Sequence, residues 1–406
     1  MSGNVKTMIP QYMNHFSCTG SKCEDTCCAG WAVFVDKPAY KQYQKVSDGE
    51  LKEKFKTDLK RIKKDSNDHR YAVLKLDEEG YCSFLTEERL CSIQVTLGEK
   101  ALCQTCSVYP RTINYVDDMI EMGSKLSCPE TARLALLNKQ PMEFDVVEQP
   151  AIYKLYNNKI NTSNNTLEKY FWDLRIFVIS LLQNRSYRFY DRLIILGMFC
   201  DKLESIYQNK TFELIPSVIG QFKQQIEQKK IDQFLSTIAE NPHVSVKLLV
   251  EMLQIRNDLG FFQQRYAQFI NETVESLKLE SNNTNIVLER YIEGLRTIFE
   301  PFAQEHEYIF ENYAVNYVFE RIFLYESKTS LFKQYVQLVS ILSLMKFQII
   351  GVGLAREELT PEMCVTLIQS FSRNTEHYGR FLDLLVDNLE QTGLNSLALM
   401  VILLKS

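Results

Sequence analysis

The sequence predicts a mainly α protein: an irregular cysteine-rich N-terminal domain with short β-hairpins, followed by an irregular α-helical bundle. Three observations carry this. Nine of the 11 cysteines fall within the first 128 residues. Before residue 150 turns break up the apolar pattern, and beyond it apolar residues recur at helical spacing. Hydrophobic residues make up 45% of the chain and charged residues 24%, a globular composition that excludes disorder on a large scale. At 406 residues the length suggests two or three domains. The division expected is residues 1–150 for the cysteine-rich domain and 165–406 for the helical one. The polar loop Asn161-Thr-Ser-Asn-Asn-Thr166 lies between them.

Tyr71–Leu76 alternates weakly and is followed by the turn Asp77-Glu-Glu-Gly80. Tyr81–Leu85 and Leu90–Val95 form a predicted hairpin around Thr86-Glu-Glu-Arg89. Thr112–Val116 and Met119–Lys125 form a second, turning at Asp117-Asp118. Between the hairpins, Leu97–Cys106 reads as a short helix that ends before Pro110. Pro129 opens another through Asn138, since proline suits a first helical turn. Gln140–Lys159 is mixed.

Helical stripes then follow over Leu167–Gln183, Tyr187–Gln208, Phe212–Ile226, Ser245–Leu277, Ile286–Phe302 and Tyr308–Phe323. Further stripes cover Leu331–Ile350, Glu362–Leu385 and Asn388–Leu404. Gly351-Val-Gly353 lies in an apolar helical pattern and not after a strand, so it reads as a helix end and not as a nucleotide-binding turn. No repeat of consistent period emerges.

The net charge of -5 and a pI near 5.8 argue against a general nucleic-acid binder. The opening residues lack the apolar stretch of a signal peptide. The most apolar run, Tyr335–Ala355, is interrupted by Gln337, Lys346 and Gln348, so it reads as a core helix and no transmembrane segment is expected. A cytoplasmic location follows. In that reducing compartment clustered cysteines are metal ligands or catalytic thiols before they are disulfides.

Cys18, Cys23, Cys27, Cys28, Cys82, Cys91, Cys103, Cys106 and Cys128 are all candidate metal ligands. Adjacent Cys27 and Cys28 rarely reach the same ion, and nine thiols suffice for two four-ligand sites with one spare. Only Cys103-Gln-Thr-Cys106 has the C-x2-C spacing common in zinc sites, and His15 and His69 are the only histidines in this region. Spacing therefore favours an iron–sulfur cluster, with zinc as the alternative and buried thiols without metal as the third reading. The C-x3-C-x2-C arrangement of radical enzymes is absent. Cys103-Gln-Thr-Cys106 as a redox pair lacks the strand-to-helix context such sites use. His243, His306 and His377 are scattered and read as surface or core residues.

Phe16-Ser-Cys18-Thr-Gly-Ser-Lys-Cys23-Glu-Asp-Thr-Cys27-Cys28-Ala-Gly-Trp31 resembles the start of the flagellin lysine-N-methylase family, as does Leu126-Ser-Cys128-Pro-Glu-Thr-Ala-Arg-Leu-Ala135. Cys82-Ser-Phe-Leu85, Cys91-Ser-Ile93 and Cys106-Ser-Val-Tyr-Pro-Arg111 are similar to the wider family of zinc- or iron-chelating cysteine domains. Glu311-Asn-Tyr313 with Asn316-Tyr317 resembles an Asn/Tyr-rich helix of the methylases. The resemblance implies methyl transfer from S-adenosylmethionine to lysines of flagellin, and a [4Fe-4S] cluster.

Lysine must attack the donor's methyl as a neutral amine, against an ordinary pKa of ~10.4. Carboxylates, tyrosine oxygens and aromatic faces would stabilise the dispersed positive charge. Tyr308, Glu311, Asn312, Tyr313, Asn316, Tyr317 and Glu320 recur at helical spacing, so several share a face. Tyr313, Asn316 and Tyr317 are the candidate catalytic residues, against the reading of a tyrosine-rich packing helix. Trp31 and Tyr109 are candidates to hold the adenine or to pack beside the cluster. The competing function is a non-catalytic iron–sulfur or zinc sensor whose helical part binds a protein partner.

Overall fold

The computed structural model describes residues 4–47, 49–150, 156–260, 263–281, 283–326, 330–375 and 379–406. His377 and residues 151–155 of the mixed segment lie outside them. The chain is mainly α, with two small sheets in its first 160 residues.

The hairpin at 111–124 forms as the pattern predicts: β5 (Arg111–Val116) pairs antiparallel with β6 (Met119–Ser124), and Asp117 takes the turn at φ 53°. Its neighbours were not legible in the sequence. β1 (Asn4–Pro10) lies parallel to β6 and pairs antiparallel with β7 (Phe144–Pro150), while β8 (Asn158–Ile160) lies parallel to β5. The order is β7-β1-β6-β5-β8. These pairings join distant segments, which local periodicity cannot report.

A second sheet, β2-β4-β3, is built from β2 (Phe34–Val35), β3 (Leu59–Arg61) and β4 (Ala72–Leu74). It packs with α1 (Lys37–Tyr43) and α2 (Gly49–Asp58) around a small core of Val33, Val35, Tyr43, Leu51, Phe55 and Phe84. Asp36 caps α1 through the Ala39 amide at 3.0 Å, and Pro38 occupies the first turn.

Two expectations need correction here. Thr86-Glu-Glu-Arg89 does turn the chain, but the flanks meet only at the Leu85–Cys91 bridge. Ser92–Leu97 is helix α3, because Ile93 alone points inward and Gly98 at φ 82° closes it. The same glycine divides the helix expected over Leu97–Cys106. A single 3-10 turn covers Glu99–Ala101, Leu102 and Cys103 are extended, and α4 is only Gln104–Val108.

The helical part follows the predicted stripes, except that one helix, residues 230–237, falls in the gap between two of them. After α5 (Pro129–Leu136) come α6 (Phe171–Leu182), α7 (Phe189–Asn209), α8 (Ile215–Glu227) and α9 (Lys230–Thr237). Ser245–Leu277 is two helices, α10 (Pro242–Asp258) and α11 (Gln264–Ser276), parted near Gly260 at φ 62°. α12 (Thr284–Gly294) runs through a π turn at Leu295–Phe299 into α13 (Glu300–His306), and α14 (Tyr308–Glu320) follows. α15 (Leu331–Arg356) passes straight through Gly351 and Gly353, correcting the helix end expected there. A Cβ would stand 2.7 Å from Thr273 Cγ2 at Gly351 and 2.5 Å from Ile298 Cγ2 at Gly353, so these glycines admit close helix packing. α15 is the described helix long and apolar enough to cross a membrane, yet 89% of its apolar window is buried within the bundle. Glu362–Leu385 divides into α16 (Pro361–Thr375) and α17 (Gly379–Gln391), and α18 (Leu397–Lys405) ends the described chain.

One large core runs from Ile9 and Ile113 through Phe177 and Leu338 to Leu404, so the five-stranded sheet and the helices share it. The join is polar as well as apolar. Arg175 of α6 reaches Glu121 of β6 at 2.7 Å, and the Asn114 amide of β5 donates to the Glu320 carbonyl of α14 at 3.1 Å. Gly123 lets the sheet touch α14: a Cβ there would stand 2.7 Å from Glu320 Cβ and 3.0 Å from its Cα. Because helix backbone cannot yield as a side-chain tip can, Gly123→Ala is expected to cost about 1–3 kcal/mol. A drop in the denaturant midpoint of unfolding would register it, and an unchanged midpoint would refute the close approach.

Candidate functional site

Seven of the nine clustered cysteines line one cavity of about 430 Å³: Cys18, Cys23, Cys27, Cys28, Cys91, Cys106 and Cys128. They come from four chain segments. Cys18–Cys28 forms an irregular loop, Cys91 precedes α3, Cys106 sits in α4, and Cys128 caps α5. Cys82 and Cys103 are buried in the small core against which Cys28, Cys91 and Cys106 pack. All eleven cysteines are free thiols.

Two pairs of these thiols, Cys27 with Cys28 and Cys103 with Cys106, hydrogen-bond to each other. Bonding to Cys28, ahead of burial, pushes the pKa of the Cys27 thiol up. The hydrogen bond between Cys103 and Cys106 lowers the pKa of Cys103 and, with burial, raises that of Cys106. Burial pushes Cys82 up to about 11 and raises Cys23, Cys91 and Cys128 as well. Arg89, Arg111, Asp25, Glu99 and Glu130 also line the cavity, so both signs of charge face the thiols. Among the described residues no three Cys, His, Asp or Glu side chains are gathered to grip one metal ion.

Of the two aromatic candidates, Tyr109 lines the cavity and its hydroxyl lies 3.1 Å from Ser127 Oγ. Trp31 packs on Tyr109 with ring centroids 5.5 Å apart, and its indole donates to the Cys27 carbonyl at 2.7 Å. Tyr313, Asn316 and Tyr317 are all buried in α14. Asn316 accepts from the Tyr12 hydroxyl at 2.6 Å and donates to the Ser124 carbonyl at 3.0 Å. Ser124 Oγ in turn lies 2.9 Å from Thr131 Oγ1 on α5, whose amide and hydroxyl bond to Cys128. Asn316 therefore stands behind the cavity wall that carries Cys128. Tyr313 and Tyr317 stack on each other at 6.3 Å, one turn apart.

Sequence reasoning placed α16 within a helical stripe but missed that two of its residues reach the site. Gln369 and Arg373 are one turn apart and nearly fully buried. Arg373 Nη1 meets the Asp25 carboxylate at 2.8 Å and its carbonyl at 3.0 Å, while Nη2 donates to the carbonyls of Thr26 and Ala29. Gln369 donates to Asp25 Oδ2 at 2.9 Å and to the Ser127 carbonyl at 2.7 Å. Asp25 is thus gripped by two side chains from the far end of the chain. A signal existed: Gln369–Thr375 is almost wholly polar yet sits in an amphipathic stripe, and every residue of it is buried.

The fold and site define a mainly helical protein whose bundle closes on a thiol-lined cavity. Residues 175–403 match the model of the FliB lysine N-methylase C-terminal domain, and the chain belongs to that family. It is 29% identical over 259 residues to lysine-N-methylases of Salmonella choleraesuis (strain SC-B67) and Salmonella typhimurium (strain LT2). Each of those matches covers 60% of this chain and spans about three-fifths (59%) of the relative's length. It is also 38% identical over 127 residues to the flagellar biosynthetic protein FliU of Salmonella muenchen, covering 31% of this chain and 74% of that protein. No solved structure matches the chain.

Proposed function

We propose that this chain is a protein lysine N-methyltransferase, cytoplasmic, taking its methyl group from S-adenosylmethionine and acting on flagellin. The observation that carries the reading is that α16, inside the segment matching the methylase family, closes on the cysteine cavity. The flagellar name of one relative supports flagellin as the substrate. Asp25, Glu99 and Glu130 bring carboxylates, and Phe16 and Tyr109 aromatic faces, to the same cavity. These are the groups that stabilise a positive charge spread between amine and sulfonium.

The donor set fits a [4Fe-4S] cluster. A single tetrahedral zinc, with zinc–sulfur bonds of ~2.3 Å, draws its thiols onto one point. A polynuclear cluster needs free thiols around a space, and that is the form of this cavity. Ligands would come from the seven cysteines lining it, with Cys82 and Cys103 supporting from the small core. When bound, such a cluster supplies a rigid staple for loops with little regular structure.

The test is anaerobic purification with iron, sulfide and zinc analysis, followed by transfer of labelled methyl groups to flagellin. The expected result is about four irons and four sulfides per chain and label on lysine. Stoichiometric zinc without sulfide would replace the cluster. A holo-protein that leaves flagellin unlabelled would overturn the enzyme reading and favour the sensor.

A further inference from the structure

We infer that Arg373, assisted by Gln369, is a positioning residue that sets the Cys27–Cys28 loop in the shape needed for metal capture. Loading of the cysteine cavity and docking of α16 are thereby coupled. The inference rests on the cavity being a metal-group site, and it needs neither the methyl donor nor flagellin.

The argument begins with backbone accounting. Residues 25–28 lie in no helix or strand, and Ala29 makes only an isolated bridge with Tyr81. Thr26 and Ala29 are buried, and buried carbonyls need donors all the same. Here all five consecutive carbonyls have one from elsewhere. Arg373 supplies Asp25, Thr26 and Ala29. Trp31 supplies Cys27, and the Cys82 amide supplies Cys28 at 2.7 Å. A single guanidinium, 5% exposed, thus serves three of the five and adds an ion pair to Asp25.

Its fork shape matters, because a planar group with fixed N–H directions can bind several oxygens at once, whereas an ammonium cannot hold that pattern. Gln369 fixes the same Asp25 from one turn earlier and also holds the Ser127 carbonyl. That second bond places the residue before Cys128. The pair on α16 therefore sets two walls of the cavity in register, the Cys23–Cys28 loop and the start of α5. Nearby, Arg265 of α11 donates to the Glu24 carbonyl at 2.8 Å, and Arg133 of α5 pairs with the Glu24 carboxylate. The loop is thus held at several points by elements that carry no clustered cysteine, or only the cap Cys128.

Because binding free energies are reciprocal, a group that fixes this loop must also stabilise the docked α16. Outer groups that orient metal ligands are worth about 10–100-fold in metal affinity, and this magnitude is expected of Arg373. The experiment uses full-length protein with Arg373→Ala, Arg373→Lys and Gln369→Ala. Arg356→Ala, which removes an α15–α11 ion pair away from the cavity, is the control. Three readouts are taken: affinity of the apoprotein for Zn(II) against a chromophoric chelator, iron and sulfide content after anaerobic reconstitution, and alkylation of Cys27 and Cys28 resolved by mass spectrometry.

Arg373→Ala is expected to lose about 10–100-fold in Zn(II) affinity and to alkylate faster at Cys27 and Cys28, with the thermal transition of the bundle retained. Methylguanidinium in the buffer is expected to restore both properties, which loss of bulk stability would not allow. Arg373→Lys should recover only part. In the native protein, metal loading should slow hydrogen exchange in α16. Should Arg373→Ala fail to fold, Gln369→Ala carries the test, with a smaller loss in the same direction. Unchanged Zn(II) affinity and unchanged alkylation in the folded variants would overturn the proposal. So would hydrogen exchange in α16 that is indifferent to metal. None of these readouts involves methyl transfer, so they can fail or succeed apart from the enzyme reading.

Discussion

Replacing Glu311 with alanine is expected to cost about 3–5 kcal/mol of folding stability, because it strands a buried arginine. Glu311 is fully buried in the first turns of α14. One oxygen accepts from Arg192 at 2.6 Å, and both accept from Arg185 between 2.8 and 3.2 Å. Arg192 is also buried, and its other donors go to the carbonyls of Leu182 and Tyr187 and to Glu307 at 3.0 Å. Without Glu311 that guanidinium keeps only the partly exposed Glu307 as a counter-charge.

Glu311→Gln keeps a hydrogen-bonding oxygen without the charge and should fall between the two. An exposed pair gives the scale: breaking Arg290–Glu293 should cost less than about 1 kcal/mol. Denaturant titration of the three variants checks this, and equal midpoints for Glu311→Ala and Glu293→Ala would refute the network's role. The consequence for the site is indirect but definite. The network fixes α14 against α7, the same helix carries Asn316, and Asn316 bonds to the strand that precedes Cys128.

The helical half was legible because its signal is local. Apolar spacing alone placed most helix windows; it missed the short α9, and its other misses came at single residues. Gly260 parted one stripe, whereas Gly351 and Gly353 failed to part another. Only the packing of Thr273 and Ile298 distinguishes the two outcomes, since a glycine is either a break or a close approach. The sheet was half legible. β5 and β6 are joined by a two-residue turn, but β1 meets β6 across more than a hundred residues and leaves no periodic trace. For the cysteines, the sequence marked the region and the structure divided the set: seven face the cavity, while Cys82 and Cys103 belong to the small core. Spacing could not make that division, because Cys103 and Cys106 lie within one turn and still face different surroundings. What Arg373 contacts was hidden for a related reason. Its partners lie more than 340 positions away, and its own context is a polar run that propensity treats as surface.

Lys346 carries the other large expectation: Lys346→Met should stabilise the protein at pH 7 by about 1–3 kcal/mol. This lysine interrupts the most apolar run of the sequence, and the structure buries it in the middle of α15. Its ammonium donates to the Ser406 carbonyl at 2.6 Å and lies 4.9 and 5.4 Å from the ring centroids of Tyr190 and Phe299. Burial depresses its pKa to about 8. Glu300 and Glu240 pull it up and Arg188 pushes it down, but neither effect outweighs desolvation. In the unfolded chain the same group titrates near 10.4.

Between those values the unfolded state holds more protons than the folded one, so stability rises with pH across that window. Below pH 8 both states are protonated and the full cost of burying the charge remains. A lysine pKa of about 8 in place of ~10.4 corresponds to roughly 3 kcal/mol. Methionine removes that cost at similar volume and leaves the Ser406 carbonyl its second donor, the Tyr291 hydroxyl at 3.1 Å. Urea unfolding of both proteins at pH 7 and pH 9.5 tests the sign. The wild type should gain stability over Lys346→Met as pH rises, narrowing the difference between them. A variant that is less stable at pH 7 by a margin independent of pH would show that Lys346 is held by its hydrogen bond and rings with no net charge penalty.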